Sequence, residues 1–229
     1  MTTHIGIVIF ERFTQLDALG PFEVFARIPN ATVHLVARST APVTSDTGLK
    51  VLPSTTFDDC PQLNVLCVPG GPGQAESMDD QTLLNCLAAQ GQNADHITAV
   101  CTGSLLLGAA GLLQGKKATT HWAAHDLLAL FGAIPTQGRV VNDGNITTGG
   151  GVTAGIDFAL TLTAKLCGDM VAQAIQLGIE YDPAPPFNAG SPQSAPPDVL
   201  NFVTGMMSTR WASRLEKTQQ AAQNLQTKP

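Results

Sequence analysis

Short uninterrupted runs of apolar residues recur along this chain, and each is followed by a segment with helical spacing. Ile5-Gly-Ile-Val-Ile-Phe10, Thr32-Val-His-Leu-Val-Ala37, Asn64-Val-Leu-Cys-Val68 and His96-Ile-Thr-Ala-Val100 are the runs. A strand that is apolar on both faces must be covered on both faces, which is the condition of a parallel sheet. Repeated strand–helix alternation therefore predicts an α/β fold, a mostly parallel sheet with helices above and below. In such a sheet, active sites form beyond the carboxyl ends of the strands. Three places qualify: the segment after Phe10, the loop after Val68 and the turn after Val100.

The intervening residues fill in the plan. Residues 19–28 have helical spacing, with Pro21 in a first turn. Residues 42–57 hold Pro42, Gly48 and Pro53 and read as short strands and turns. A helix over 79–89 is capped by Asp79 or Asp80. A helix over 104–113, a short strand over 118–121 and a helix to Leu130 follow. A hairpin over 140–148 turns at Asp143-Gly144. Helices are expected over 153–166 and 169–180. Residues 181–197 form a Pro-rich loop, and a final helix over 198–226 carries Val199, Phe202, Val203, Met206 and Met207 on its apolar side. The whole chain, 1–229, reads as one domain.

Composition removes several function classes. The net charge is −6 and no basic stripe appears, against a nucleic-acid surface. No run is long and apolar enough for a membrane span, and the N-terminus shows no signal peptide. The five cysteines are scattered, without Cys-x-x-Cys spacing, and read as reduced thiols of a cytoplasmic protein.

One cysteine has a different context. In Ala99-Val-Cys-Thr-Gly103 a buried strand turns into a helix, with small residues two positions either side of Cys101. That is the pattern of a nucleophile elbow. The helix behind it aims N–H groups and its positive end at the sulfur, which predicts a thiolate. Cys60, Cys67, Cys86 and Cys167 lack this context and read as small buried apolar residues. A thiolate needs a proton partner, and position 102 is Thr, so a neighbouring His is excluded. Asp17 follows the first strand and reaches the same sheet edge. Like-charge repulsion would raise its pKa and suit it to acid/base work; a helix cap is the other reading. In Gly70-Gly-Pro-Gly73, Pro72 has no N–H, which leaves Gly71 and Gly73 as candidate oxyanion donors beside the reading of a plain turn. His121-Trp-Ala-Ala-His125 has metal-ligand spacing but lacks a Glu and a third ligand, so no metal is expected and His121 is read as a supporting polar group. Gly149-Gly-Gly-Val-Thr-Ala-Gly155 reads equally as a tight strand-to-helix turn or a nucleotide loop.

Four of these motifs together resemble the ThiJ/PfpI superfamily: Asp17-Ala-Leu-Gly-Pro-Phe-Glu-Val-Phe25, Pro69-Gly-Gly-Pro-Gly73, Val100-Cys-Thr-Gly-Ser104 and Thr119-Thr-His-Trp122. Gly149-Gly-Gly-Val-Thr-Ala-Gly-Ile-Asp-Phe158 and Pro183-Ala-Pro-Pro-Phe-Asn-Ala-Gly-Ser-Pro192 extend the resemblance to the group that hydrates isocyanides. It implies a three-layer sandwich around a flavodoxin-like sheet, and a homodimer without metal or organic cofactor acting on a small isocyanide. It places the nucleophile on Cys101, the acid/base carboxyl on Asp17 and an assisting group on Thr102. Two rivals remain on the same fold. One is other cysteine chemistry, hydrolytic or glyoxalase-type; Thr102 counts against the hydrolytic form. The other is a non-catalytic ligand- or redox-sensing domain.

Overall fold

The computed structural model describes residues 2–227. Its centre is a seven-stranded sheet. The strands are β1 (Thr3–Val8), β2 (Ala31–Ala37), β5 (Thr55–Thr56), β6 (Val65–Val68), β7 (His96–Val100), β10 (Val140–Asp143) and β11 (Ile146–Gly149). Their order is β10-β11-β7-β6-β1-β2-β5, and every pair is parallel except β10 with β11. The five central strands run β2-β1-β6-β7-β11, a flavodoxin-like order. Two small ribbons lie outside: β3 (Val43–Thr44) with β4 (Lys50–Val51), and β8 (Lys117–Ala118) with β9 (Ile134–Pro135).

Helices cover both faces. On one side α1 (Gln15–Phe25), α5 (Ala154–Cys167) and α6 (Asp169–Gly178) pack together. On the other lie α2 (Gln74–Ser77), α3 (Gln81–Asn93), α4 (Gly103–Ala109), the 3₁₀ helix Trp122–Phe131 and α7 (Pro197–Gln226). The sandwich has the three layers the resemblance implies. Its core explains the sequence pattern: Ile5, Ile7, Val8 and residues 65–68 are all fully or nearly fully buried. Asp80 caps α3, its side chain accepting from the Leu83 N–H at 3.0 Å. No helix among the described residues is long and apolar enough to cross a membrane.

The strand expected over 118–121 covers only Lys117–Ala118, the helix expected over 104–113 ends at Ala109, the helix expected to Leu130 is 3₁₀, and two longer helices also differ from expectation. Helix α1 begins four residues earlier than its spacing predicts, so Pro21 stands inside it, not in its first turn. The break in hydrogen bonding that Pro21 imposes is offset by packing: Gly155 of α5 lies against its ring, where a Cβ would come within 3.1 Å. Helix α7 buries a different stripe from the one its apolar residues suggest. Arg214, Thr218, Ala221 and Ala222 are buried, while Val199, Phe202 and Met206 are exposed.

The chain leaves β1 towards β2 and later returns across it to β6. The carboxyl ends of β1 and β6 therefore open onto a crevice at this switch of direction. Helix α1, the glycine loop 69–73 and the turn at Cys101 all begin there.

Candidate active site

Cys101 stands between β7 and α4 with φ +55°, in the left-handed region that a Cβ disfavours. Its main chain is held on both sides. Its N–H donates to the carbonyls of Gly149 (3.1 Å) and Gly150 (2.8 Å), and its carbonyl accepts from Thr120 Oγ1 at 2.6 Å. Strain kept in place by several hydrogen bonds is the mark of a nucleophile elbow. The expected small neighbours are needed: a Cβ on Gly103 would sit 2.1 Å from the Val68 carbonyl oxygen.

Asp17 is fully buried in the first turn of α1. It is not the helix cap: Thr14 occupies that position. Its Oδ2 accepts the Gly70 N–H at 2.9 Å, Oδ1 has no hydrogen-bond partner among the described residues, and the carboxyl faces the Cys101 thiol. Burial pushes the Asp17 pKa up to about 8, against the Gly70 N–H and the thiol, which favour the charged form. The carboxyl thus keeps its proton at neutral pH. The raised pKa was expected, but burial contributes most of it, not repulsion by a thiolate.

The thiol departs from expectation. Burial and the Asp17 carboxylate push Cys101 well above the usual thiol range, and the Thr102 N–H and the Arg214 guanidinium only partly oppose them. Desolvation outweighs the end of α4, which is only seven residues long. The resting pair is two neutral acids in contact. Both proposed oxyanion donors are also engaged elsewhere. The Gly71 N–H donates to Thr102 Oγ1 at 3.1 Å, and the Gly73 N–H to the Arg12 carbonyl at 3.1 Å. Thr102 Oγ1 in turn donates to the Gly71 carbonyl at 3.3 Å, so its hydroxyl clamps the loop and not the sulfur. Glycine is required at position 70 for close approach: a Cβ there would lie 2.5 Å from the Thr102 nitrogen.

His121 caps the 3₁₀ helix, its Nδ1 accepting the Ala123 N–H at 3.3 Å. Burial, with the Arg214 guanidinium adding to it, holds its pKa down to about 4, so it is a neutral imidazole. With Thr120, Gly150 and Gly151 it lines a cavity of about 720 Å³, and Thr120 and Gly150 are the residues that hydrogen-bond the Cys101 main chain. Arg214 of α7 escaped the sequence reading. It is buried, its Nε donates to Gln74 Oε1 at 3.2 Å, and it brings a positive charge to bear on Cys101. Its only sequence signal is the spacing to Thr218 and Ala221, which marks one face of α7.

A parallel sheet with a strained cysteine at its edge, facing a protonated carboxyl, defines a cysteine-elbow α/β protein. The comparisons narrow the class. The DJ-1/PfpI family model matches residues 3–165, and the chain belongs to that family. It is 53% identical over 225 residues, 98% of its own length and 99% of the relative's, to a Pseudomonas putida protein named isonitrile hydratase. A crystal structure of a ThiJ/PfpI family protein from Pseudomonas syringae superposes with a TM-score of 0.92 at 44% identity, covering 97% of this chain and 91% of that one. The chain is also 28% identical over 78% of its length to the HTH-type transcriptional regulator GbdR of Pseudomonas aeruginosa, of which it spans half.

Proposed function

We propose that this chain adds water to isocyanides and releases N-substituted formamides, a hydro-lyase reaction with Cys101 as nucleophile. The end-to-end match to a protein named isonitrile hydratase supports the substrate class. The observation that carries the reading is the buried pair of Cys101 with an Asp17 that holds its proton up to about 8. An isocyanide carbon owns a lone pair and must gain a proton as well as a nucleophile. A thiol beside a neutral carboxylic acid supplies both.

The steps balance as follows. Asp17 gives its proton to the isocyanide carbon, the sulfur attacks that carbon, and the thiol proton passes to the Asp17 carboxylate. The product is a thioimidate, Cys–S–CH=N–R. Water then adds to the thioimidate carbon, its oxygen bonding there and one proton going to nitrogen. Collapse forms the carbonyl, breaks the C–S bond and returns the hydroxyl proton through Asp17 to sulfur. R–NH–CHO leaves, and no metal or organic cofactor enters. Thr102 acts by position: its hydroxyl fixes the loop whose Gly70 N–H holds Asp17.

The working unit is a homodimer in a reducing, cytoplasmic setting. The exposed side chains of Met170, Leu177, Phe187 and Phe202 supply apolar surface that a second copy would cover. Free thiols at all five cysteines suit such a compartment. Purified protein mixed with an aryl isocyanide should form the formamide, and Cys101→Ala should lower the rate by roughly a thousandfold or more. Absence of turnover by the wild type would sink the hydratase reading; undiminished turnover by Cys101→Ala would sink the nucleophile.

A further inference from the structure

A cavity of about 200 Å³ lies between α2 and α7, lined by Arg12, Pro72, Glu76, Arg210, Ser213 and Arg214 among others. Three of these residues are cationic, in a chain whose net charge is −6. Arg12 is neutralised by Glu76 at 3.1 Å. Among the described residues, Arg210 and Arg214 have no carboxylate within ion-pair distance. Burying a guanidinium without a counter-charge is costly, and Arg214 is buried. Its neutral partner Gln74 adds to the deficit. Gln74 is fully buried, and its Nε2 has no acceptor. The amide cannot be turned round, because Arg214 has only donors and must meet the oxygen. One buried donor, Gln74 Nε2, therefore lacks an acceptor beside a guanidinium that lacks a counter-charge.

The cavity also borders the glycine loop that packs beside the nucleophile. Pro72 follows Gly71, which is tied to Thr102 beside the nucleophile, and the Arg214 charge reaches the Cys101 sulfur. We infer that this cavity is a carboxylate subsite, so that the isocyanides turned over are those whose organic group carries a negative charge. The inference rests on the hydratase reading for the word isocyanide. The guanidinium groups of Arg210 and Arg214 receive the carboxylate and the Ser213 hydroxyl borders it, while the isocyanide end extends towards Cys101.

The test is a matched pair of substrates, 4-isocyanobenzoate and its methyl ester. Wild type should favour the acid by about tenfold or more in kcat/KM, with the difference in KM. Arg210→Ala, at an exposed position, should bring that ratio close to one, and Arg210→Lys should keep part of it. An equal or better ester in the wild type, or an unchanged ratio in Arg210→Ala, overturns the subsite. If neither compound is turned over, the hydratase reading falls and calorimetric titration decides the subsite alone. Tighter binding of 4-formamidobenzoate than of its methyl ester, weakened in Arg210→Ala, supports it; equal binding overturns it.

Discussion

Replacing Asp17 with Asn should stabilise the protein, by an amount that grows with pH. The Asp17 carboxyl has its pKa raised from 3.8 to about 8 by burial. Below pH 3.8 the folded and unfolded chains both carry the proton, and the carboxyl costs no charge burial. Between 3.8 and about 8 the unfolded chain has lost the proton and the folded chain keeps it, so folding must take one up. Stability then falls by about 1.4 kcal/mol per pH unit, reaching a loss of about 4 kcal/mol at pH 7. Above about 8 the loss is complete. Asp17 is fully buried, so solvent screening does not reduce the figure. Asn has no such proton. Its carbonyl still accepts the Gly70 N–H, and its amide takes the place of the unpartnered oxygen. A poor fit of that amide costs about 1–3 kcal/mol at every pH. The slope is therefore the diagnostic quantity. Urea unfolding of wild type and Asp17→Asn at pH 5, 6 and 7, at one protein concentration, should show the difference growing by about 3 kcal/mol across the range. The two tryptophans, Trp122 and Trp211, give the signal. A difference flat with pH would show that Asp17 titrates as an ordinary carboxylate, and the neutral-acid mechanism would fall with it.

The same proton sets the rate profile: kcat/KM for an isocyanide should hold steady below pH 7 and decline as pH rises through about 8, when Asp17 loses the proton it must donate. A profile rising through pH 8 would point instead to a thiolate as the resting form. Thr102→Val removes the hydroxyl that meets both Gly71 main-chain groups, leaving a buried N–H unpaired at a cost of about 1–3 kcal/mol. Thr102→Ser should restore most of the stability and the rate, and denaturation curves beside turnover measure both. Gly103→Ala drives a Cβ to within 2.1 Å of the Val68 carbonyl oxygen. Overpacking against main chain should cost about 3 kcal/mol or more, visible as a lower melting temperature, and should distort the elbow enough to remove activity.

How far the sequence discloses this site depends on whether a property is local or made by packing. The strand runs, the elbow and the meeting of Asp17 with Cys101 at one sheet edge are legible, because apolar period and chain topology determine them. The ionisation of Cys101 is not. The helix behind it is visible in the sequence, but burial and Asp17 act on the sulfur through space and outweigh it. The glycine loop shows the same division. A glycine announces a close approach without naming what approaches. At 70 it is the main chain of Thr102, and at 73 the Glu11 carbonyl oxygen, 1.9 Å from where a Cβ would stand. From the sequence Gly71 and Gly73 are candidate donors to substrate beside the reading of a plain turn, whereas packing pairs both N–H groups within the protein. Arg214 is the furthest case. An arginine on a C-terminal helix ordinarily reads as a solvated charge. Only the docking of α7, by Ala221 and Ala222 with Trp211, Leu215 and Leu225 beside them, carries this one inward, and the same docking leaves Val199, Phe202 and Met206 exposed. The helix thus turns one part of its apolar surface to the core and leaves another part outside. Burial of Arg214 follows from the register in which Ala221 and Ala222 dock α7, a property of packing that the residue type does not announce.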